Sequence, residues 1–118
     1  MPDTTTTLAE LKDVLRRFAA ERQWEPFHSP KNLSMGVAVE AAELMEHFLW
    51  VGSEESRRVT QDPDKLGQVA DEMADVACYL LALSNTLGID LSDAITAKLA
   101  KNALKYPVEK VRGRYRVE

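Results

Sequence analysis

The sequence predicts an all-α protein with a four-helix-bundle-like fold that assembles into oligomers. Apolar residues recur at helical spacing over four long segments, strand-like alternation never extends beyond a few positions, and no internal repeat of solenoid length is evident. With 118 residues and 45% hydrophobic content, the chain is long enough for one domain with its own core. We therefore expect a single domain over residues 1–118, with its core at about 6–107 and a basic tail at 108–118.

The first two predicted helices are separated by a proline-rich loop. Helix one is predicted from about Thr6 to Arg22, because threonines can supply its N-cap and leucines follow at helical spacing. Two prolines in residues 24–32 interrupt any helix there. Helix two is predicted from about Asn32 to Val51, and Gly52 is expected to end it.

The third predicted helix carries more apolar surface than a small monomer needs. After a short surface helix, Asp62 and Pro63 are typical of an N-cap and a first helical position, and the helix is expected to run to Gly88. Nearly every residue from 73 to 83 is apolar apart from Asp75. This pattern predicts burial on more than one side and therefore association of subunits.

The fourth predicted helix begins after Asp90 and ends at Pro107. Within it, Lys98, Asn102 and Lys105 share one face with apolar residues. The aliphatic stems of the two lysines could simply cover the core while their ammonium groups reach water. Beside a metal site, the same cations and amide would instead hold phosphate oxygens.

Charge balance and cysteine content exclude several classes of protein. A formal net charge of -4 argues against binding of nucleic-acid polymers through phosphate neutralisation. The single cysteine, Cys78, excludes an intramolecular disulfide and is expected to be a small packing residue. No signal-peptide pattern is present, and the longest apolar run, residues 76–83, is too short to span a bilayer. We expect a cytoplasmic protein with no membrane partner.

Four carboxylates form two pairs in stretches that are otherwise apolar. Glu40 with Glu43, and Glu72 with Asp75, are spaced three residues apart, so each pair lies on one helical face. Most helical acids are surface charges, but Glu40 and Asp75 are expected to lack an easy route to water. Clustered acids repel one another and are costly to desolvate, and a divalent cation relieves both effects. Oxygen-only ligation favours Mg²⁺, or Mn²⁺, over iron or zinc.

Aromatic residues gather around the proline-rich loop and beside the second acid pair. Tyr79 lies one helical turn beyond Asp75, where a planar base could stack near a metal. Aromatic side chains are more often part of a core, and we apply that interpretation to Phe18 and Phe48. The candidates for a ligand-binding role are Trp24, Phe27, His28, Trp50 and Tyr79.

Together these motifs resemble the MazG-like, all-α nucleoside triphosphate pyrophosphohydrolases. The resemblance comprises the two acid motifs, ExxE at residues 40–43 and ExxD at residues 72–75, and KxxxNxxKYP from Lys98 to Pro107. It covers nearly the whole chain, from helix one through Pro107. The segment RxWxxFHxPxNL, from Arg22 to Leu33, is similar to the small dCTP pyrophosphatase branch.

The resemblance implies Mg²⁺-dependent hydrolysis of a nucleoside triphosphate, dCTP or a modified dCTP, to the monophosphate and pyrophosphate in nucleotide-pool house-cleaning. It implies that all four acids are metal ligands and that the protein is a homodimer or tetramer. By position, Glu43 or Glu72 could accept the proton of the attacking water and act as the catalytic base. The family often has arginine where Lys105 stands. The implied substrate-binding residues are Trp24, His28, Trp50 and Tyr79 at the base, with Phe27 and Lys31 as weaker candidates, and Lys98, Asn102, Lys105 and Tyr106 at phosphate or sugar.

Two other functions remain open at the level of sequence. A non-catalytic helical interaction module would use the acids in salt bridges with lysines of the fourth helix. A phosphoribosyl-ATP pyrophosphohydrolase would use a related arrangement of acids. The aromatic segment WxxFH disfavours the second, since it suggests base stacking in a different pocket.

Overall fold

The computed structural model describes residues 1–116 of the chain, and in these residues every regular element is helical and no strand is present. The all-α prediction is therefore confirmed. Residues 117 and 118 of the predicted basic tail lie outside the described residues. The chain divides into two compact units, Met1–Gly88 and Ile89–Glu118.

The first unit contains three long helices and several short elements. In chain order these are α1 (Leu8–Glu21), a 3₁₀ turn (Glu25–Phe27), α2 (Pro30–Glu46), α3 (Ser53–Arg57), a second 3₁₀ turn (Arg58–Gln61) and α4 (Pro63–Leu87). The second unit contains α5 (Leu91–Lys105) and the single-turn helix α6 (Val108–Val111).

Capping side chains explain where α1, α4 and α5 begin, and one glycine explains where α4 ends. Thr7 and Glu10 form a reciprocal capping box at the start of α1, which satisfies two backbone N–H groups that have no partner within the helix. Asp62 and Asp90 cap α4 and α5 through their side chains, as predicted. Gly88 ends α4 at φ 65°, a left-handed conformation that glycine adopts without a steric penalty.

The predicted bounds of helix two are wrong at both ends. Ser29 caps α2 and Pro30 occupies its first position, where a missing N–H group costs nothing, so this proline begins the helix. At the other end, backbone bonds tighten to a three-residue spacing after Glu46, and Trp50 adopts φ 67°. Such a conformation cannot continue a right-handed helix. Gly52 is the N-cap of α3 and does not end α2.

The core of the first unit lies where α2 and α1 pack against α4. Leu33 of α2 is its most buried large side chain, with 1% exposure. Hydrogen bonds also join α1 to α4. Asn85 of α4 donates one to the Lys12 carbonyl and accepts one from Arg16. The buried apolar residues are Ala19, Leu33, Val69 and Leu81.

Much of the apolar surface stays exposed in the single chain. The single chain leaves apolar side chains of α4 in water, since Met73 is 57% exposed, so burial of this helix on more than one side through association of subunits stays a prediction. The core assignment of Phe18 is wrong. Its ring is 46% exposed, and the guanidinium of Arg22 lies 3.6 Å from the ring centroid.

Among residues 1–116, no single helix is long and apolar enough to cross a membrane. Taken together as a bent pair, α4 and α5 have the length and composition of a membrane span. The core helices of other proteins often have the same length and composition.

Candidate metal centre

Packing of α2 against α4 brings three of the four predicted acids together. Carboxylate oxygens of Glu40, Glu43 and Glu72 lie within 4.8 Å of one another. Glu40 and Glu43 are neighbours on one face of α2, and Glu72 comes from the facing helix. We call these three residues the acid cluster. Such a set of oxygen atoms is the ligand type that Mg²⁺ and Mn²⁺ prefer.

Two oxygen atoms of the acid cluster have no hydrogen-bond partner among residues 1–116. Glu40 Oε2 and Glu72 Oε2 are both buried, and no described residue donates to either. Buried carboxylate oxygens are almost always hydrogen-bonded or bound to a metal, because desolvation without a partner is costly. The unsatisfied pair therefore fits a cation between α2 and α4.

Mutual proximity raises the pKa of two members of the acid cluster. The pKa of Glu40 rises from 4.5 to about 6, first because its protonated form can share a hydrogen bond with Glu43, and then because of burial. The pKa of Glu72 is also raised, chiefly by burial and then by Glu43, while His47 acts in the opposite direction. These shifts express the cost of burying carboxylates in their charged form close to one another.

His47, which was not among the site residues predicted from the sequence, reaches the acid cluster with its side chain. Its Nε2 atom lies 3.7 Å from Glu72 Oε1, and its side chain is 17% exposed. The available signal was its position four residues after Glu43, which places both residues on the same side of α2. His47 also lines a 480 Å³ groove with Arg58 and Lys65, two cations that the sequence analysis did not select.

The expectation that Asp75 is shielded from water is wrong. This residue is exposed, and it is not part of the compact acid cluster. Its charge nevertheless raises the pKa of Glu40 and of Glu72, so it contributes to the same electrostatic environment. The apolar neighbours of Asp75 in the sequence lie around the helix on all sides and do not shield this residue from water.

An aromatic pocket of 260 Å³ adjoins the acid-bearing helices. Two hydrogen bonds fix its loop: Asn32 Nδ2 donates to the Phe27 carbonyl at 3.0 Å, and Thr86 Oγ1 donates to the His28 carbonyl at 3.4 Å. Four of the five aromatic candidates predicted from the sequence line this pocket. Its lining residues are Trp24, Phe27, His28, Asn32, Leu33, Gly36 and Tyr79.

A smaller cavity of 130 Å³, lined in part by Asp75, shares three lining residues with the aromatic pocket. Trp24, His28 and Tyr79 line both spaces, whereas Asp75 and Cys78 line only the smaller one. Cys78 is exposed, so its assignment as a packing residue is wrong. The part of the thiol that neighbouring residues cover loses hydration, and this effect together with the charge of Asp75 raises the pKa of Cys78, which disfavours the reactive thiolate.

Two predicted site residues of the first unit lie outside these pockets. Trp50 is 94% exposed and lines none of the pockets described above, and Lys31 is exposed as well. In the second unit, Lys98 and Lys105 are exposed and Asn102 is half-buried. The Lys105 ammonium lies 5.3 Å from the centroid of the Tyr106 ring.

A sequence profile of the MazG-like family matches residues 36–115, which is more than half of the chain. Among curated relatives, dCTP pyrophosphatase 1 of Bos taurus is 36% identical over 107 residues, covering 91% of this chain and 63% of that protein. The Homo sapiens protein of the same name is 35% identical over 106 residues, covering 90% and 62%. The chain thus spans less than two thirds of the length of these relatives.

A solved structure extends the similarity to the fold. A pyrophosphatase from Archaeoglobus fulgidus DSM 4304 superimposes with a TM-score of 0.78 at 38% sequence identity, covering 91% of this chain and 98% of that one. The likeness to dCTP pyrophosphatases inferred from the motifs is therefore confirmed. On the family profile and these relatives, the chain belongs to the MazG-like family.

Proposed function

We propose that the protein is a metal-dependent nucleoside triphosphate pyrophosphohydrolase that converts dCTP or a modified dCTP to the monophosphate and pyrophosphate. The observation that carries this proposal is the pair of buried, unpartnered oxygens, Glu40 Oε2 and Glu72 Oε2, in an acid cluster beside an aromatic pocket. The similarity to proteins named dCTP pyrophosphatase 1 and to an archaeal pyrophosphatase supports the same reaction and the cytosine base.

Glu40, Glu43 and Glu72 would hold the metal, and Asp75 is proposed as a fourth ligand from the adjacent turn of α4. All four donors are carboxylate oxygens, so we propose Mg²⁺, with Mn²⁺ as a substitute. When bound, the metal would neutralise triphosphate charge and lower the pKa of water at the site. The pKa of Glu40 is raised by a hydrogen bond shared with Glu43, by burial and then by the charges of the neighbouring acids, and a cation at this site would neutralise those charges.

The acid cluster also contains the proposed proton acceptor. Attack by water on the triphosphate requires a group that removes a proton, and a carboxylate within hydrogen-bond reach of that water can do so. We propose Glu43 or Glu72 for this role. Glu72 has His47 as a neighbour on its Oε1 side, whereas Glu43 is exposed and open to water.

The aromatic pocket is proposed to hold the base. Trp24 and Tyr79 offer ring surfaces for stacking, and His28 supplies ring nitrogens for hydrogen bonding. Stacking alone tolerates any base, so the polar groups of the loop would provide the choice among bases. Lys98, Asn102, Lys105 and Tyr106 are proposed to contact phosphate or sugar, as the family resemblance implies.

Self-association is a second part of the proposal. Apolar side chains of α4 that a single chain leaves in water include Leu66, Met73, Leu80 and Leu87. Exposed apolar surface of this extent is typical of proteins that associate. We propose a homodimer or tetramer in which Trp50, 94% exposed, lines the base pocket of a neighbouring copy. The cytoplasmic location stays a prediction.

The decisive experiment measures pyrophosphate release from the four dNTPs, 5-substituted dCTP and phosphoribosyl-ATP, with Mg²⁺ or with EDTA. We expect Mg²⁺-dependent release, fastest with a cytosine nucleotide. Glu43→Gln should abolish it without loss of helicity, and Glu46→Gln is the matched control, because Glu46 is exposed on the same helix outside the acid cluster. No release from any dNTP, or full activity in EDTA, would contradict the proposal. Preference for phosphoribosyl-ATP would favour the other pyrophosphohydrolase.

A further inference from the structure

A glycine in the middle of α2 lies directly against an aromatic ring of α4. A Cβ atom built on Gly36 would lie 2.5 Å from both Cδ1 and Cε1 of Tyr79 and 3.0 Å from its Cγ. Real Cβ atoms do not approach other atoms this closely. Since glycine is among the least favourable residues in a helix interior, its presence here needs a reason beyond helix formation.

Gly67 provides the contrast within the same molecule. It also lies in a helix, α4, but a Cβ atom there would meet nothing within 4 Å. The close approach is therefore a property of the Gly36 position. At that position α2 leaves open the space that the Tyr79 ring occupies.

The Tyr79 ring cannot give way without changing the aromatic pocket. Gly36 and Tyr79 both line that pocket, and the ring is rigid and attached to α4, the helix on which α2 packs. Moving the ring from 2.5 Å to the 3.4 Å or more of an ordinary contact requires a displacement of about 1 Å. A shift of that size moves Tyr79 relative to two other residues that line the pocket, Trp24 and His28.

We propose that Gly36 is a specificity-determining residue, because it seats the Tyr79 ring against α2 and so sets the width of the pocket for a planar heterocyclic base. This inference rests on the proposed function and deepens it. The acid cluster begins one turn later, at Glu40, and the Gly36 position faces Tyr79. A side chain at position 36 would therefore disturb the fit of the base and leave the metal ligands in place.

The first experiment compares Gly36→Ala with Gly67→Ala. For Gly36→Ala we expect KM for the preferred dNTP to rise roughly tenfold or more, since misplacement of about 1 Å has effects of this order. The kcat value and the affinity for Mn²⁺ should stay within about twofold of wild type, and the ranking of bases should change. Gly67→Ala gains the same methyl group in open space and should match wild type. Wild-type KM and base ranking in Gly36→Ala, or a loss confined to kcat, would overturn the inference.

A double-mutant cycle tests whether the effect passes through the tyrosine. With Tyr79→Ala as background, Gly36→Ala should cause no further rise in KM, because the ring it displaces is absent. An equal rise in both backgrounds would overturn the inference. If Gly36→Ala fails to fold, the double variant should fold, because the ring that the new methyl group would meet is absent. A double variant that also fails to fold would overturn the inference.

Calorimetric titration with deoxynucleoside monophosphates separates this inference from the proposed reaction. Absence of turnover in the wild-type protein would contradict the proposed function, and the weaker binding expected for Gly36→Ala can still be measured. Wild-type protein that binds no nucleotide, or Gly36→Ala that binds as tightly as wild type, would overturn the role of Gly36.

Discussion

His47 Nε2 lies 3.7 Å from Glu72 Oε1, so the C-cap residue that follows α2 contacts the acid of α4 that completes the acid cluster. This contact lowers the pKa of Glu72 against the larger effects of burial and Glu43, which raise it. Second-layer partners of this kind orient metal ligands and keep them in the ionised form that binds metal.

Replacing His47 should therefore weaken metal binding without removing a carboxylate. We expect His47→Leu to bind Mn²⁺ roughly 10- to 100-fold more weakly, as found for outer-shell partners of metal ligands. His47→Gln can still donate a hydrogen bond and should lose less. Titration calorimetry at neutral pH measures both. Equal, wild-type affinity in the two variants would exclude a role for His47 at the acid cluster.

The stability of the metal-free protein should depend on pH through Glu40. Its pKa is about 6 in the folded chain against a usual 4.5, so the folded state binds more protons between these values. The contribution of Glu40 to stability is therefore fully present below about pH 4.5 and is lost as the pH rises through about 6.

Glu40→Gln isolates this effect from the other acids. In EDTA, the free energy of unfolding of the variant should equal that of wild type near pH 4.5 and exceed it increasingly up to about pH 6. Urea denaturation at closely spaced pH values provides the measurement. A difference between the two proteins that does not change with pH would contradict the assignment.

Added metal should stabilise the protein most where the acids are ionised. At a Mg²⁺ concentration of about 100 times Kd, binding to the folded state alone adds about 2.7 kcal/mol. We expect Mg²⁺ to raise the Tm clearly at pH 7.5 and only slightly at pH 5, since Glu40 is protonated below about pH 6. Differential scanning calorimetry checks this. Glu46→Gln should respond like wild type, and an equal Tm shift at both pH values would argue against a site at Glu40.

Trp50 should matter for the substrate and not for the stability of the chain. Its side chain is 94% exposed, so Trp50→Ala should change the free energy of unfolding of a monomeric chain by no more than about 0.5 kcal/mol. If Trp50 lines the base pocket of a neighbouring copy, KM for the preferred dNTP should still rise. Steady-state kinetics measures KM, and urea denaturation measures the free energy of unfolding.

Trp24→Ala serves as the comparison for Trp50→Ala. The Trp24 ring packs edge-on against Phe18 at a centroid distance of 5.8 Å and also lines the aromatic pocket. Its loss should therefore reduce stability and raise KM together. Wild-type KM in Trp50→Ala would remove Trp50 from the set of substrate-binding residues.

Most helix ends could be predicted from the sequence, and the errors have identifiable causes. The caps at Asp62, Gly88 and Asp90 were predictable because each depends on one side chain or one backbone conformation within a few residues. The end of α2 was not, because apolar periodicity continues beyond Glu46. The chain leaves the helix in a turn that closes with Trp50 at positive φ, a conformation no tryptophan favours locally.

The acid positions were predictable and their surroundings were not. Spacing along the helix establishes that Glu40 and Glu43 share one face, but it does not show which face of α4 meets them. The contact of His47 with Glu72 and the exposure of Asp75 both follow from how the two helices pack. The residues that neighbour a carboxylate in the sequence point to all sides of the helix. Their apolar character therefore does not show whether another helix buries that carboxylate.

By itself, then, the sequence determined the helices, their caps and the carboxylates that share a face, because these depend on interactions within about one helical turn. Only the tertiary structure decided that Glu72 joins Glu40 and Glu43, that two of their oxygens lack partners, and that Gly36 makes room for a ring. The physical reason is that burial and close contact arise between helices, where the rotation and separation of each helix select which side chains meet.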